Sequence, residues 1–306
     1  MRRKDLLDLQ SLSADEITYL LDTAQSFREI VTRPVKKVPT LRGKSVATLF
    51  FEPSTRTRTS FEAAAKIMSA DTYSLTGTTS SAVKGESLKD TMLTLDAMGI
   101  DAFVIRHPCS GAAQLAARYV PAKPVINAGD GTHEHPTQGL LDLLTIRQVK
   151  DRIEGLTVAI VGDILHSRVA RSNIWGLTAM GASVRLIAPP TLLPADAAQL
   201  PVTVYTDLEA GLEGADVVNI LRIQLERQDS AFFPSVREYA RLFGVSKAKL
   251  KAAAPDVTVL HPGPMNRGVE IASALADDDI SVITDQVTNG VAVRMAVLFW
   301  LTSYSS

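Results

Sequence analysis

Short, almost uninterrupted apolar runs recur along the chain, and nearly every one leads through a polar turn into a helical pattern. Residues 45–51 form the clearest run, and further short strands are expected at 72–75, 102–105, 125–127, 157–161, 184–187, 202–205, 217–221 and 257–260. A run without period-two alternation marks a strand buried on both faces. Helical patterns fall between them at 14–30, 61–68, 88–98, 112–119, 136–149, 167–180 and 286–301. Ser13 and Glu16 form a capping box for the first, and Pro136 suits the first position of another. Strands alternating with helices build parallel sheets covered by helices on both faces. Residues 76–85, rich in Gly, Ser and Thr, are read as a mobile loop.

Two such series, joined by the helix near 136–149, predict an α/β protein of two doubly wound domains. The boundaries expected are 1–134 plus 287–306 for one domain and 135–286 for the other. The active site is expected in the cleft between them. A length of 306 residues suits two domains. Hydrophobic residues at 46% and charged residues at 21% exclude extensive disorder. The net charge of −1 disfavours nucleic-acid binding through bulk charge, although it averages over any local arginine cluster. A single cysteine, Cys109, excludes an intrachain disulfide and a cysteine zinc cluster, and fits a reducing, cytoplasmic setting. No membrane association is expected, because apolar stretches such as 296–301 are too short to span a bilayer. Asp5 and Asp8 argue against a transit peptide.

The strongest local signal runs from Phe50 to Glu62, where a buried strand gives way to a helix. Ser54, Thr55, Arg56, Thr57 and Arg58 crowd the turn. Hydroxyls, guanidiniums and free helix N–H groups together favour a phosphate. They exceed what an ordinary N-cap needs. Arg42-Gly43-Lys44-Ser45 imitates the end of a nucleotide P-loop, but Val38 stands where the motif needs glycine. Arg106-His107-Pro108 follows another strand, where a second phosphate or carbonyl contact and a solvated arginine are equally good readings. Cys109 is read as a small packing residue. His133 and His135 lack zincin spacing, and His135 with Gln138 can face one pocket, although simple capping explains that segment as well. In the second half, Arg168 and Arg171 open a helix, and Arg222 with Gln224 ends a strand. His261-Pro262-Gly263-Pro264 makes a rigid turn with free carbonyls. Phosphate-type groups thus cluster in the first half and carboxylate-type arginines in the second. A phosphorylated substrate and a dicarboxylate follow from that division.

In order and spacing, Ser-Thr-Arg-Thr-Arg at 54–58, Arg-His-Pro at 106–108, His-Pro-Thr-Gln at 135–138 and His-Pro-x-Pro at 261–264 resemble the aspartate/ornithine carbamoyltransferase family, on its aspartate side. The resemblance covers nearly the whole chain. It implies transfer of a carbamoyl group from carbamoyl phosphate to L-aspartate, in de novo pyrimidine biosynthesis, without a metal or organic cofactor. It implies that Arg56, Thr57, Arg106, His135 and Gln138 hold carbamoyl phosphate. Ser54 and Thr55 complete the phosphate cradle, and Gly263 and Pro264 meet the amide. Arg168, Arg222, Gln224 and Lys84 would hold aspartate. The family's catalytic unit is a homotrimer with shared active sites, in which the loop carrying Ser80 and Lys84 enters the neighbouring subunit's site. The catalytic set is then Arg56, Thr57, Lys84, Arg106 and His135. The 261–270 loop is two residues longer than the family's shortest version, which resembles chains without a regulatory partner, some of which associate with a dihydroorotase.

Ornithine-type relatives carry a cysteine where Gly263 stands and a Ser-Met-Gly loop in the second domain, and neither is found here. A non-catalytic subunit that kept the fold would show damaged motifs, whereas the matched positions are intact. A dinucleotide-binding oxidoreductase lacks its glycine fingerprint.

Overall fold

The computed structural model describes residues 3–76, 86–223 and 235–303. The chain divides into two compact units, Met1–Leu141 with Thr288–Ser306, and Asp142–Val287. The first holds strands β1 (Ser45–Phe50), β2 (Asp71–Thr76), β3 (Ala102–His107) and β4 (Val125–Asp130). Its helices are α1 (Ala14–Thr32), α2 (Thr55–Ile67), α3 (Leu88–Ala97) and α4 (Ala112–Tyr119). Helix α5 (Pro136–Lys150) carries the chain into the second unit. There strands β5 (Thr157–Val161), β6 (Ser183–Ile187), β7 (Thr203–Tyr205), β8 (Val217–Ile220) and β9 (Thr258–Leu260) alternate with α6 (Arg168–Ala179), α7 (Leu208–Leu212), α8 (Val236–Phe243) and α9 (Ser273–Ala276). Helix α10 (Ile283–Thr302) returns the chain to the first unit.

The named strands all pair in parallel; β1, β5 and β8 inside the sheets are buried on both faces, whereas the edge strands β2 and β7 are largely exposed. The first sheet has the order β2-β1-β3-β4 and the second β7-β6-β5-β8-β9. Each winds outward from a central strand, then reverses: between β1 and β3 in one, between β5 and β8 in the other. Ligands bind outside the carboxyl ends of strands at such reversals. The topology therefore marks the turns after β1, β3, β5 and β8 before any side chain is considered. Between sheet and helices, Ala47, Leu49, Phe103 and Ile105 pack with Met92, Ala116 and Val120.

Several boundaries differ from the sequence expectation. Helix α2 starts at Thr55, six residues before the expected 61, because its first turn carries threonines and arginines that leave no apolar period. Strands β3 and β4 run on through Arg106-His107 and Ala128-Gly129-Asp130. Backbone pairing holds these polar ends: Phe51 N–H donates to the Arg106 carbonyl at 2.8 Å, and His107 pairs with Asp130 beyond a local register shift. The outer edge of β4 is covered by an unanticipated segment, since Leu6 bridges to Ile126 in parallel. Among the described residues, no helix is long and apolar enough to cross a membrane.

Candidate active site

The turn from β1 into α2 gathers hydroxyl and guanidinium groups around a hollow. Ser54 is the N-cap of α2, with extended backbone, yet its hydroxyl makes no capping bond. The N-cap serines of α1, α3, α6 and α8 all accept one, from Glu16, Asp90, Ala170 and Glu238. The Ser54 oxygen is therefore not committed to its helix. A hollow of ≈ 250 Å³ opens here, lined by Phe51, Ser54, Thr55, Arg58 and neighbours. Arg58 lines it although the family resemblance implies only Arg56 as a ligand from this pair; the Arg58 Nε lies 3.7 Å from Glu62. Arg56 is exposed and has no ion-pair partner among the described residues.

Register brings the end of β3 beside this turn, because Phe50 pairs with Arg106. Arg106 is fixed on both sides. Its Nε lies 2.7 Å from Glu52 Oε1, and a terminal nitrogen donates to the Ala128 carbonyl at 3.2 Å. The pair is mostly shielded, with side-chain exposures of 13% and 11%. An arginine held this way stays aimed before any ligand arrives. Next to it, the His107 ring lies against Phe51 and accepts the Cys109 N–H on Nδ1. Burial pushes the His107 pKa down. Cys109 itself is exposed, which corrects its reading as a packing residue. Its backbone, not its thiol, has the structural task of closing this turn.

Helix α5 presents the third element. The Thr57 hydroxyl lies 3.5 Å from His135 Nε2, so the start of α2 and the start of α5 converge. Gln138, one turn on, is largely buried. Sequence reasoning missed the two carboxylates that hold this turn. Asp130 accepts N–H groups from Gly111 at 2.7 Å and Glu134 at 3.3 Å, with the Asn127 amide at 2.7 Å. Its pairing with His133 raises that imidazole's pKa. Glu134 reaches away from the site and accepts the Leu9 N–H at 2.8 Å, anchoring the N-terminal segment. Gly131 sits so close to Ser110 that a Cβ there would lie 2.3 Å from its hydroxyl, so the turn demands glycine.

In the second unit, Arg168 is the first residue of α6 and is almost fully buried, behind the N-cap Ser167. The chain leaves β5 through Gly162, at φ +129°, where a Cβ would stand only 3.0 Å from the Leu221 carbonyl oxygen. Arg222 follows β8, and the next carbonyl, of Ile223, accepts the Asn266 amide at 2.9 Å. Beyond β9, His261 starts the turn at 261–264, whose Gly263–Pro264 peptide is cis. The His261 Nδ1 accepts the Gly263 N–H at 2.8 Å, and Nε2 faces Glu270 Oε1 at 3.2 Å. Nδ1 accepts, so the ring proton lies on Nε2 and is donated to Glu270. Ser80, Lys84 and Gln224 lie outside the described residues, as does most of the expected 76–85 loop. No cluster of three or more His, Cys, Asp or Glu side chains suited to a metal ion is found among the described residues.

Comparison with known proteins gives one answer for both units. Residues 4–148 match the aspartate/ornithine carbamoyltransferase carbamoyl-P binding domain, and 154–301 match the Asp/Orn binding domain of the same family. An aspartate carbamoyltransferase catalytic subunit of Heliobacterium modesticaldum is 63% identical over 298 residues, covering 97% of this chain and 95% of the relative. Ornithine carbamoyltransferase from Pyrococcus furiosus superimposes with a TM-score of 0.89 at 31% identity, covering 99% of this chain and 98% of that one. Aspartate transcarbamoylase from Trypanosoma cruzi, in complex with N-(phosphonacetyl)-L-aspartic acid, reaches 0.89 at 30% identity, covering 98% and 96%. With both halves matched in order and more than half of its residues shared with a relative along nearly its full length, the chain belongs to the aspartate/ornithine carbamoyltransferase family.

Proposed function

We propose that this chain transfers the carbamoyl group of carbamoyl phosphate to the amine of L-aspartate, giving N-carbamoyl-L-aspartate and phosphate. The observation that carries the reading is the convergence of Thr57 with His135 beside the uncommitted Ser54 hydroxyl, at the reversal of the first sheet. Ser54, Thr55 and Arg56 bind the phosphate at the helix N-terminus. Thr57, Arg106 and His135 donate to the carbonyl oxygen. Gln138 and the carbonyls of Gly263 and Pro264 take the amide. Arg168, Arg222, Gln224 and Lys84 neutralise the aspartate carboxylates.

The chemistry follows from these roles. The neutral amine of aspartate attacks the carbonyl carbon, and charge builds on the carbonyl oxygen. Donors already aimed at that oxygen stabilise the transition state, each worth about 2.7–4 kcal/mol. As the N–C bond forms, the C–O bond to phosphate breaks and its electron pair leaves with phosphate. The leaving phosphate accepts the amine proton, so no side-chain base is required. Binding both substrates converts a collision into a positioned encounter.

The working unit in this reading is a homotrimer in the cytoplasm, with Ser80 and Lys84 supplied by the neighbouring chain. A larger assembly with a dihydroorotase is compatible with the long 261–270 loop. Titration with a bisubstrate mimic carrying a phosphonate and two carboxylates tests the site: saturable binding that carbamoyl phosphate displaces supports it, and no binding favours a non-catalytic subunit. Mixing His135→Ala with Lys84→Ala chains tests sharing. Exchange should restore activity through hybrid sites with both contributions intact. Proven exchange without activity contradicts a shared site.

A further inference from the structure

Resting on the carbamoyl-phosphate reading, we propose that Asp142 is a positioning residue that sets the 261–264 turn for the carbamoyl amide, acting through Gln286. Asp142 lies on α5 and is fully buried. Three side-chain amides from three other elements converge on its carboxylate. One oxygen accepts from Asn173 of α6 at 2.8 Å and from Asn219 of β8 at 3.4 Å. The other accepts from the Gln286 amide nitrogen of α10 at 2.7 Å. Gln286 then has its own oxygen on the far side, where it accepts the His261 N–H at 3.0 Å.

That chain of bonds has a direction. A carboxylate only accepts, so it compels the Gln286 amide to turn its NH2 inward and its oxygen toward His261. The reversed amide would point NH2 at the His261 N–H, donor against donor. Asp142 thus determines which way Gln286 faces, and Gln286 holds the first residue of the turn. Downstream, the His261 ring takes the Gly263 N–H and donates to Glu270, which also accepts the Asn266 N–H at 2.5 Å. The His261 and Gly263 N–H groups are tied by these bonds and the two prolines have none, so carbonyls are the backbone groups that residues 261–264 can offer a ligand amide. The carbonyls of Gly263 and Pro264 are the ones the proposed function uses.

An asparagine at position 142 has one acceptor and one donor face. It cannot satisfy Gln286 on one side and Asn173 with Asn219 on the other. The change Asp142→Asn therefore releases the Gln286 amide from its orientation without changing volume. The double change Asp142→Asn with Gln286→Glu moves the carboxylate across the pair. The new amide at position 142 then accepts from Asn173 and donates to the new carboxylate at position 286, whose second oxygen still takes the His261 N–H.

The test uses the full-length enzyme in its native assembly, with steady-state kinetics, inhibition by inorganic phosphate, and thermal melting. In Asp142→Asn the KM for carbamoyl phosphate rises about tenfold, the size of one lost charge-assisted hydrogen bond. The inhibition constant for inorganic phosphate stays at the parent value, because phosphate is held by Ser54, Thr55 and Arg56. The double variant returns the KM most of the way to the parent value. Unchanged KM in Asp142→Asn overturns the proposal, as does equal loss of phosphate and carbamoyl phosphate with no recovery in the double variant. If Asp142→Asn does not fold, the double variant decides on the same ratio: a parent-like KM supports the proposal and a raised one overturns it. A parent enzyme that makes no N-carbamoyl-L-aspartate overturns the proposed function and this inference with it. An active parent with an indifferent Asp142→Asn overturns this inference alone.

Discussion

Both sheets reverse their strand order in the same manner, yet the turns after β1 and β3 and the turn after β9 present different kinds of group. After β1 and β3, the groups assigned to the ligand are themselves the conspicuous ones: hydroxyls, arginines and His135 in short motifs. Glu52 supports Arg106 directly, and Asp130 ties the turn before His135. After β9 the groups assigned to the ligand are plain backbone carbonyls, and the bonded side chains that tie the turn are those of His261, Glu270, Gln286 and Asp142. A side chain that meets a ligand can be exchanged by one mutation at the site. A carbonyl cannot, so its direction is controlled by buried polar partners. The first region should therefore lose chemistry when altered, and the second should lose stability or geometry.

The largest effect is expected at the carbonyl oxygen. His135→Ala and Arg106→Ala should each lower kcat about 10²- to 10³-fold, the usual cost of one oxyanion donor. Arg106→Ala also removes the shielded ion pair with Glu52, so its melting temperature should fall as well, whereas that of His135→Ala should move little. Kinetics and thermal denaturation measured side by side check both statements. Parent-like kcat in either variant removes the assignment of chemistry to the first region.

Glu270→Leu should act in the second way. It removes the one buried oxygen that accepts from both the His261 ring and the Asn266 N–H, and leaves two donors without an acceptor. A loss of about 1–3 kcal/mol in unfolding free energy is expected. Chemical denaturation reads it directly, and an unchanged midpoint would remove the support assigned to this pair.

A smaller contrast lies between two capping positions. Ser167→Ala removes a capping bond to Ala170 and should cost about 1 kcal/mol of stability. Ser54→Ala removes a hydroxyl without such a bond, so stability should change by less than about 0.5 kcal/mol while the KM for carbamoyl phosphate rises. Equal destabilisation by both would mean that Ser54 is an ordinary cap.

The smallest effect separates two histidines of neighbouring turns. His133 is stabilised in its charged form by Asp130, so its folded pKa is raised. Its contribution to stability is complete below about pH 6.5, the unfolded value, and is lost as pH rises through the folded pKa. His107 is shifted down by burial. It opposes folding as pH falls below the unfolded value and its contribution is intact above it. Ring-proton NMR titration should place His133 above and His107 below the ordinary value. Coincident titrations would argue against both environments.

Much of this is legible in the sequence, for definable reasons. Residues 45–50 and 157–161 read as strands because a doubly buried strand has little choice but Val, Ile, Leu, Phe and Ala. The 54–58 motif is readable because its chemistry is carried by the residues themselves. The start of α2 is not, because its first turn of threonines and arginines has no apolar stripe. Asp130, Glu134, Asp142 and Glu270 escape notice because a carboxylate looks the same in sequence whether it is solvated or buried. Only the convergence of donors from Leu9, Gly111, Asn173 or Gln286, far along the chain, tells the two apart. The bridge from Leu6 to Ile126 escapes for the same reason of distance.

In the proposed function, the cradle after β1 and β3 activates carbamoyl phosphate for attack by the amine of a dicarboxylate. The decisive assay gives purified enzyme carbamoyl phosphate with L-aspartate or, separately, L-ornithine. Products are identified by mass spectrometry and the phosphate released is counted. One N-carbamoyl-L-aspartate per phosphate is expected with aspartate, and no carbamoylated product with ornithine. Carbamoylated ornithine, or phosphate release without carbamoyl-aspartate, would overturn the proposed function.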